Sequence, residues 1–359
     1  MEIRIISKTE TFSKLKEEWH SLEKTSSEMT VYCTFDYLYT WWKEIGINKG
    51  IRLCIICIYE NSKIIGIAPL MIETKRIFGI RLKILKFLAN ADFHNFLLNK
   101  ELGEQRIIRR VFDAIYSIEW DKLELSHISN KTSLTHFLLK SEQYNKKVEF
   151  LGENPILFLK NYDSFLIYKQ LFFKKKINNY RNRLKKDFNV VFEVIKGDEK
   201  DILSKISKVH IERNQDGNKR KSLFEDTCRY NFVKEFYKEC NRAMTFLIKT
   251  DDGTIVSYAT CYSYYDTIYN WNTAFNPKFQ KYSAGDLIYY EMINFFFEKE
   301  SEIKKLDFGA GGYPWKFRMT NTFETTYKLN LNNKNFKKHH FLEIYDKVFK
   351  MGKIVLNKK

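Results

Sequence analysis

A chain of 359 residues is longer than one ordinary hydrophobic core requires and fits two domains of roughly 150 to 200 residues each. Its hydrophobic fraction of 44% and aromatic fraction of 16% exclude long disordered stretches. The formal net charge of +17 favours an anionic partner such as a phosphate-bearing cofactor, RNA or an acidic membrane face, although coding bias toward lysine gives the same surplus.

Cysteine spacing and the short apolar runs favour a cytoplasmic protein without a metal cofactor. Cys54 and Cys57 lie in a strand-like apolar run, where residues three apart point to opposite faces and cannot hold one ion. We therefore expect all six cysteines to be buried or incidental thiols in a reducing compartment. The longest uncharged apolar run, 64–72, is about half of the ~20 residues that a membrane span needs, so no transmembrane segment is expected.

The first half of the chain alternates helix and strand patterns. Residues 9–25 and 35–42 carry aromatic and aliphatic side chains at helical spacing. The apolar runs 52–59 and 63–73 are joined by a short polar turn, which is typical of a β-hairpin. A helix followed by a strand over 105–126 completes a compact α/β unit.

The second half repeats this order of elements, which suggests a duplication. An Asp-Gly turn at Asp252-Gly253 separates two apolar runs and predicts a second hairpin. The predicted helices cover 164–188, 198–213, 224–240 and 286–299, and the predicted strands cover 244–249, 254–264, 267–274 and 305–309. The residues 336–359 form a basic, loosely amphipathic tail.

Two small-residue segments near the end of the second half carry the chemistry. The first, Tyr-Ser-Ala-Gly-Asp at 282–286, lies where a strand leads into a helix. Ser283 could cap that helix, and Gly285 would let a ligand approach the backbone, so that free N–H groups and the positive helix end face an anion such as a pyrophosphate. A Ser-x-Gly sequence before a helix is more often only a cap, so both interpretations stay open. The second segment is the Gly-rich stretch 306–317.

Taken in order, the motifs of this chain resemble the CelD/FemAB-like branch of the GNAT acyltransferases. The resemblance extends over roughly residues 10–325. Its motifs are Trp41-Trp42, Gly66-Ile67-Ala68-Pro69-Leu70, Ala91-Asp92-Phe93, the basic run 174–183, Val209-His210-Ile211-Glu212-Arg213, Ser283-Ala284-Gly285 and the segment from Asp307 to Lys316.

The resemblance implies an α/β (α+β) fold of tandem GNAT-like domains, each a mixed, mostly antiparallel sheet flanked by helices. The domains are expected at 1–155 and 156–330, with a basic tail at 331–359. Three residues depart from the family pattern: Ala284 replaces a proline, Trp315 replaces a tyrosine, and Gly312 stands where an acidic residue is frequent. These departures leave the fold expectation intact and the substrate open.

The resemblance also implies N-acyl transfer from acyl-CoA, such as acetyl-CoA, to an amine. In this chemistry an acyl thioester lies along a splayed strand, a neutral amine attacks its carbonyl, and backbone N–H groups stabilise the oxyanion. By position, Trp271 and Asn272 belong to that strand, and the turn of Ser283, Ala284 and Gly285 would hold the pyrophosphate of the cofactor.

Four residues are implied as catalytic. Lys316 corresponds to a lysine near the substrate phosphate, although a solvated lysine is the alternative. Asp307 could orient the amine or take its proton, or could simply cap its own turn. His210 is a candidate base or ligand, or a structural helix histidine, and Tyr313 is a candidate acid for the thiolate. We expect Lys316→Ala to abolish transfer with little change in melting temperature.

Five further residues are implied to bind the substrate. Asp92 would contribute from a loop of the first domain, and Arg213 from the helix that also carries the candidate histidine. Gly309, Gly311 and Trp315 would form the Gly-rich wall of the site.

The acceptor class remains open at this stage. A small-molecule amine or nucleotide sugar, as an amino-sugar or other cell-envelope precursor for polysaccharide biosynthesis, is the first expectation. An aminoacyl-tRNA-dependent peptidoglycan ligase of the FemAB kind is the second, and a non-catalytic binding module is the third. The basic, aromatic segment 164–188 suits tRNA or a lipid headgroup surface, hence peripheral membrane contact, and fits a solvated face equally well.

Overall fold

The computed structural model describes residues 1–173, 176–217, 221–239, 242–333 and 342. These residues form two compact units. Unit 1 comprises Met1–Trp42, Gly46–Leu151 and the described residues from Thr326 onward, and unit 2 comprises Lys43–Ile45 and Gly152–Thr325. As independent domains, 1–155 and 156–330 remain a prediction.

The strands and helices alternate along the chain. The strands are β1 (Glu2–Ile6), β2 (Arg52–Glu60), β3 (Lys63–Ile77), β4 (Ile80–Phe87), β5 (Leu97–Leu98), β6 (Lys122–Ser129), β7 (Val148–Phe158), β8 (Val190–Lys196), β9 (Ala243–Thr250), β10 (Ile255–Tyr264), β11 (Thr267–Phe275), β12 (Lys305–Asp307) and β13 (Phe323–Asn332). The helices are α1 (Thr9–Ser13), α2 (Lys16–Thr25), α3 (Phe35–Trp41), α4 (Glu104–Ser117), α5 (Ser133–Lys140), α6 (Phe165–Phe172), α7 (Lys176–Asp187), α8 (Ile202–Gly217), α9 (Thr227–Glu239) and α10 (Ala284–Lys299).

Unit 1 is a mixed sheet in the order β1-β2-β3-β4-β6-β13 with helices packed on it. The β2–β3 hairpin is confirmed, and β4 and β6 form its parallel pair. Helix α4 buries Ile107 and Val111 against the sheet. This close approach requires Gly66 on β3, because a Cβ there would lie 2.4 Å from Cγ2 of Ile107.

Unit 2 is a mixed sheet in the order β7-β12-β11-β10-β9-β8. Adjacent residues of β10 show how helices cover both of its faces. Sγ of Cys261 lies 3.6 Å from Sδ of Met292 on α10, whereas the ring of Tyr262 lies 5.1 Å from that of Phe236 on α9. Because consecutive strand residues point to opposite faces, α10 and α9 lie on opposite sides of this sheet. The predicted mixed sheets flanked by helices are confirmed.

Strands β11 and β12 of unit 2 are paired over only part of the length of β11. Their parallel pairing runs from Thr267 opposite Lys305 to Tyr269 opposite Asp307, where β12 ends. Strand β11 continues to Phe275 and stays paired with β10 on its other side. Beyond Tyr269, the edge of β11 therefore has no strand partner on the β12 side among the described pairings.

The basic segment predicted as one helix over 164–188 is two helices, so that prediction is wrong. Helix α6 ends at Phe172, because Phe173 adopts an extended backbone with φ −97° and ψ 113°. Helix α7 then covers Lys176–Asp187, and Lys174 and Lys175 lie outside the described residues.

Three further expectations concern membrane-spanning helices, the cysteines and the basic tail. Within the described ranges, no helix is long and apolar enough to cross a membrane. The five described cysteines are free thiols, and Cys240 lies outside those ranges. The basic tail expected from residue 331 begins within β13, and of its residues beyond Asn333 only Leu342, which packs on Leu82 and Ile84, is described.

Candidate active site

The junction between β11 and α10 is built around a left-handed serine. Ser283 has φ 54° and ψ 42°, and its side chain makes no cap hydrogen bond to the helix. Its hydroxyl instead donates to Oδ2 of Asp286 at 2.8 Å, so the predicted side-chain cap is wrong. The carbonyl of Ser283 accepts the N–H groups of Asp286 and Leu287. The N–H groups of Ala284 and Gly285 have no partner among the described hydrogen bonds, as expected for the first residues of a helix.

The ring of Phe275, which packs against this helix start, also contacts an arginine. The guanidinium carbon of Arg213 is 4.4 Å from the ring centroid of Phe275, the last residue of β11. A Cβ on Gly285 would lie 3.3 Å from Cδ1 of the same ring. Arg213 contacts this ring, and among the described residues it has no carboxylate partner. Two of the predicted residues, Arg213 and Gly285, thus adjoin the same ring.

The Gly-rich turn after β12 is closed by Asp307. This buried carboxylate accepts the N–H of Gly309 at 2.8 Å. Gly309 and Gly311 have φ of 79° and 92°, in the left-handed region that favours glycine. Of the two roles considered for Asp307, the turn contact is present in the geometry, and a role toward an amine stays a prediction.

Lys316 is part of the same turn and is only 4% exposed. Its ammonium donates to the carbonyls of Gly309 and Ala310, both at 2.8 Å. It also lies 5.2 Å from the ring centroid of Tyr313. The solvated-lysine alternative is therefore wrong. The two hydrogen bonds of Lys316 hold the backbone of the turn in its observed conformation.

The two aromatic residues of this turn differ in environment. Tyr313 is exposed, and its hydroxyl has no partner among the described hydrogen bonds. The Trp315 ring packs at 5.1 Å on that of Tyr289, a buried residue of α10. Trp315 therefore ties the turn to the helix, whereas Tyr313 faces outward.

Two residues of β7 that were not predicted from the sequence also contact this turn. Oδ1 of the fully buried Asn154 accepts the N–H of Gly311 at 3.2 Å, and its Nδ2 is buried without a partner. Oε2 of Glu153 lies 3.1 Å from where a Cβ of Gly312 would be. Glu153 has no hydrogen-bond or ion-pair partner among the described residues. No sequence spacing signals these contacts, because Asn154 and Gly311 are 157 positions apart.

His210 is engaged at one ring nitrogen. Its Nδ1 lies 2.8 Å from Oγ of Ser222 and 2.9 Å from Nδ2 of Asn214. Burial lowers the pKa of His210 below its ordinary value, so the ring is neutral near pH 7. Nδ1 is therefore engaged by two neighbouring side chains of the protein. This geometry supports the structural alternative, in which His210 anchors the turn at Ser222.

The side chains of Trp271 and Asn272 contact other side chains of unit 2. Trp271 lies at a bulge in the β10–β11 ladder, and its ring contacts those of Phe224 and Tyr262 at 6.0 and 5.7 Å. The Asn272 side chain accepts the hydroxyl of Tyr258 at 2.6 Å. Any contact of these two residues with a cofactor would therefore be made by the backbone edge.

Asp92 belongs to unit 1, whereas the other predicted site residues belong to unit 2. It lies in the segment between β4 and β5 and is half-buried. Burial, together with the negative charge of Asp92, raises the pKa of Tyr37. Its role toward a substrate stays a prediction. Among the described residues, no group of three His, Cys, Asp or Glu side chains is arranged to hold a metal ion.

Comparison with known proteins bears directly on this geometry. Residues 172–317 match a protein-family model described as an acetyltransferase (GNAT) domain. Most of unit 2 is therefore similar to a GNAT domain. The matched GNAT segment includes the splayed strands, the start of α10 and the Gly-rich turn as far as Phe317. Searched by sequence, the chain has no significant match among curated proteins.

Solved structures extend the likeness to both units. FemX matches 92% of this chain and 98% of its own, with a TM-score of 0.59 at 11% identity. L-PGS from Bacillus licheniformis matches 89% and 92%, with 0.54 at 13% identity. A tandem GNAT protein from the clavulanic acid biosynthesis pathway matches 92% and 98%, with 0.50 at 9% identity. At these identities the likeness establishes the fold alone, and the tandem GNAT-like fold is confirmed.

Proposed function

We propose that the chain is an N-acyltransferase that moves an acyl group from acyl-CoA to an amine. The observation that carries the proposal is the open edge of β11 beyond Tyr269, whose last residue, Phe275, adjoins both Arg213 and the start of α10 at Gly285. An extended backbone edge suits a pantetheine-like arm, which can accept and donate hydrogen bonds to peptide groups. A helix start with an added guanidinium suits a pyrophosphate.

The proposed donor site has two parts, one for the pyrophosphate and one for the pantetheine-like arm. At the start of α10, the N–H groups of Ala284 and Gly285 and the Arg213 guanidinium would bind the pyrophosphate. Along β11, backbone groups of 270–275 would bind the arm and stabilise the oxyanion. Acyl-CoA supplies an acyl group activated as a thioester. The side chains of Ser283, Trp271 and Asn272 take no direct part, because they bind other groups of the protein.

The proposed acceptor site is the Gly-rich turn. Glu153 offers a carboxylate to an ammonium or to the proton that the amine must lose, and the buried Nδ2 of Asn154 offers a donor to an acceptor oxygen. Asp307 and Lys316 hold the turn in shape beneath them. The exposed Tyr313 remains our candidate for protonating the leaving thiolate.

The acceptor that we propose is an amino sugar, free or nucleotide-linked, or another cell-envelope precursor. The formal charge of +17 supports an anionic acceptor such as a nucleotide sugar. The five free cysteines of the described chain fit a cytoplasmic site of action. The CelD-like branch remains part of this proposal.

An aminoacyl-tRNA donor is the alternative, favoured by the fold likeness to FemX and by the basic charge. Titration calorimetry with acetyl-CoA and, separately, with aminoacyl-tRNA distinguishes the two donors. We expect acetyl-CoA to bind and Arg213→Ala to weaken it roughly ten- to hundredfold, the value of a charge-assisted hydrogen bond.

Arg229→Ala is the matched control, because Arg229 pairs with Asp226 on the surface of α9. It should bind acetyl-CoA as the unmodified protein does. Salt-sensitive binding of aminoacyl-tRNA without binding of acetyl-CoA would replace the proposal by the ligase reading. Indifference to both would indicate a non-catalytic module.

A further inference from the structure

Helix α6 presents an apolar face to the exterior of unit 2. Its inner face buries Phe165 and Tyr168 in the core. Its outer face carries Leu166, Ile167 and Leu171, which are 62%, 41% and 66% exposed. Single exposed aliphatic residues are common, but three on one face of a short helix form a contiguous patch.

Exposed lysines flank this helix in the chain. Lys160 precedes α6, and Lys176, Lys185 and Lys186 lie on α7. These four ammonium groups have no carboxylate partner among the described ion pairs. Residues 160–188 contain nine Lys and Arg against two Asp, so the local surplus is strongly positive.

Helices α6 and α7 lie next to each other on α10. The ring centroid of Tyr290 on α10 lies 5.3 Å from Nζ of Lys169 on α6. It also lies 5.5 Å from the guanidinium carbon of Arg181 on α7. Arg181 also pairs with Glu291 at 2.6 Å. The helix with the apolar face and the lysine-rich helix are therefore neighbours on α10, and we call their exposed residues together the α6–α7 surface.

We propose that the α6–α7 surface binds an anionic lipid membrane. Leu166, Ile167 and Leu171 would enter the headgroup boundary, and the lysines of α7 would meet lipid phosphates. RNA would satisfy the lysines and leave the aliphatic side chains in water. A neutral apolar partner would bury the aliphatic side chains without using the charge. An anionic bilayer matches both, and this proposal does not depend on the proposed transfer reaction.

Vesicle flotation of the full-length protein tests the proposal. Phosphatidylcholine vesicles with and without phosphatidylglycerol serve as probes. We expect binding to the anionic vesicles at least about tenfold stronger than to the neutral ones, and weakened by salt. The double variant Leu166→Ser, Leu171→Ser should lose about tenfold or more of this binding. Lys185→Glu, Lys186→Glu should lose at least as much.

Leu139→Ser is the matched control, because Leu139 is 42% exposed on α5 of unit 1. It should float as the unmodified protein does, and melting curves should show all variants folded. Equal binding to both vesicle types, no binding to either, or full binding by the leucine variant would each overturn the proposal. Loss of tRNA binding by the lysine variant, with vesicles ignored, would assign the surface to nucleic acid instead.

Discussion

The turn after β12 depends on two buried charged side chains that bind its backbone. Asp307 accepts the N–H of Gly309, and Lys316 donates to the carbonyls of Gly309 and Ala310. A buried ammonium needs polar partners in place of water, and here carbonyls of the turn supply them. The shape of the proposed acceptor site therefore rests on residues that also stabilise the fold.

Lys316→Ala should consequently destabilise the protein. The substitution leaves two carbonyls without their donor. Hydrogen bonds to a charged group are worth about 1.5–3 kcal/mol each, so we expect the free energy of unfolding to fall by roughly 3–6 kcal/mol. Chemical denaturation measures it. Lys278→Ala, at an exposed lysine, is the control and should change little. An unchanged melting temperature for Lys316→Ala would support the original sequence-based expectation and contradict this one.

At this scale the sequence predicted residues close to each other in the chain better than distant ones. The Gly-rich motif indicated that Asp307 and Lys316 share one turn, because glycines at such spacing permit tight backbone. Glu153 and Asn154 were missed, because they reach the turn only through the antiparallel pairing of β7 with β12. Nothing local in the sequence records that register.

At the scale of elements, the end of β11 and the start of α10 are fitted to one another. Gly285 faces Phe275, whose ring carries the Arg213 guanidinium. A side chain at 285 must therefore displace the ring on which the guanidinium rests. The glycine is needed for this close approach, since its φ is not in the left-handed region.

Gly285→Val should weaken acetyl-CoA binding about tenfold while leaving the overall fold intact. The added methyl groups would push Phe275 and Arg213 away from the helix start, and losing one charge-assisted contact gives a change of this size. Calorimetry measures the affinity, and circular dichroism checks the fold. Gly152→Ala, where a Cβ meets nothing within 4 Å, should bind normally. Normal binding by Gly285→Val would separate this glycine from the donor site.

Elements with a clear period were predicted, and those with mixed signals were not. The β2–β3 hairpin and helix α10 follow from apolar runs and turn residues. Strand β4 was missed although its first residues, IRLKI, alternate apolar and basic side chains as a half-buried strand does; the alternation breaks at Ile84-Leu85. The break between α6 and α7 was missed because aromatic and basic residues run through it without glycine or proline.

At the scale of the molecule, the repeated order of elements predicted two similar halves, and structural likeness to tandem GNAT proteins confirms that arrangement. The return of the chain was not predicted. Residues from Thr326 to Asn332 pair with β6, about two hundred positions earlier, so they belong to unit 1. Such pairing depends on the whole fold and has no local signature.

The proposed function depends most on acyl-CoA binding along the open edge of β11. Hydrogen–deuterium exchange of the full-length protein, with and without acetyl-CoA, measures this directly at peptides covering 270–285. We predict slower exchange of those amides of 270–275 that point away from β10, and of Ala284 and Gly285, when acetyl-CoA is present, because these N–H groups would gain partners. Unchanged exchange over 270–285, whether or not other segments become protected, would contradict the account.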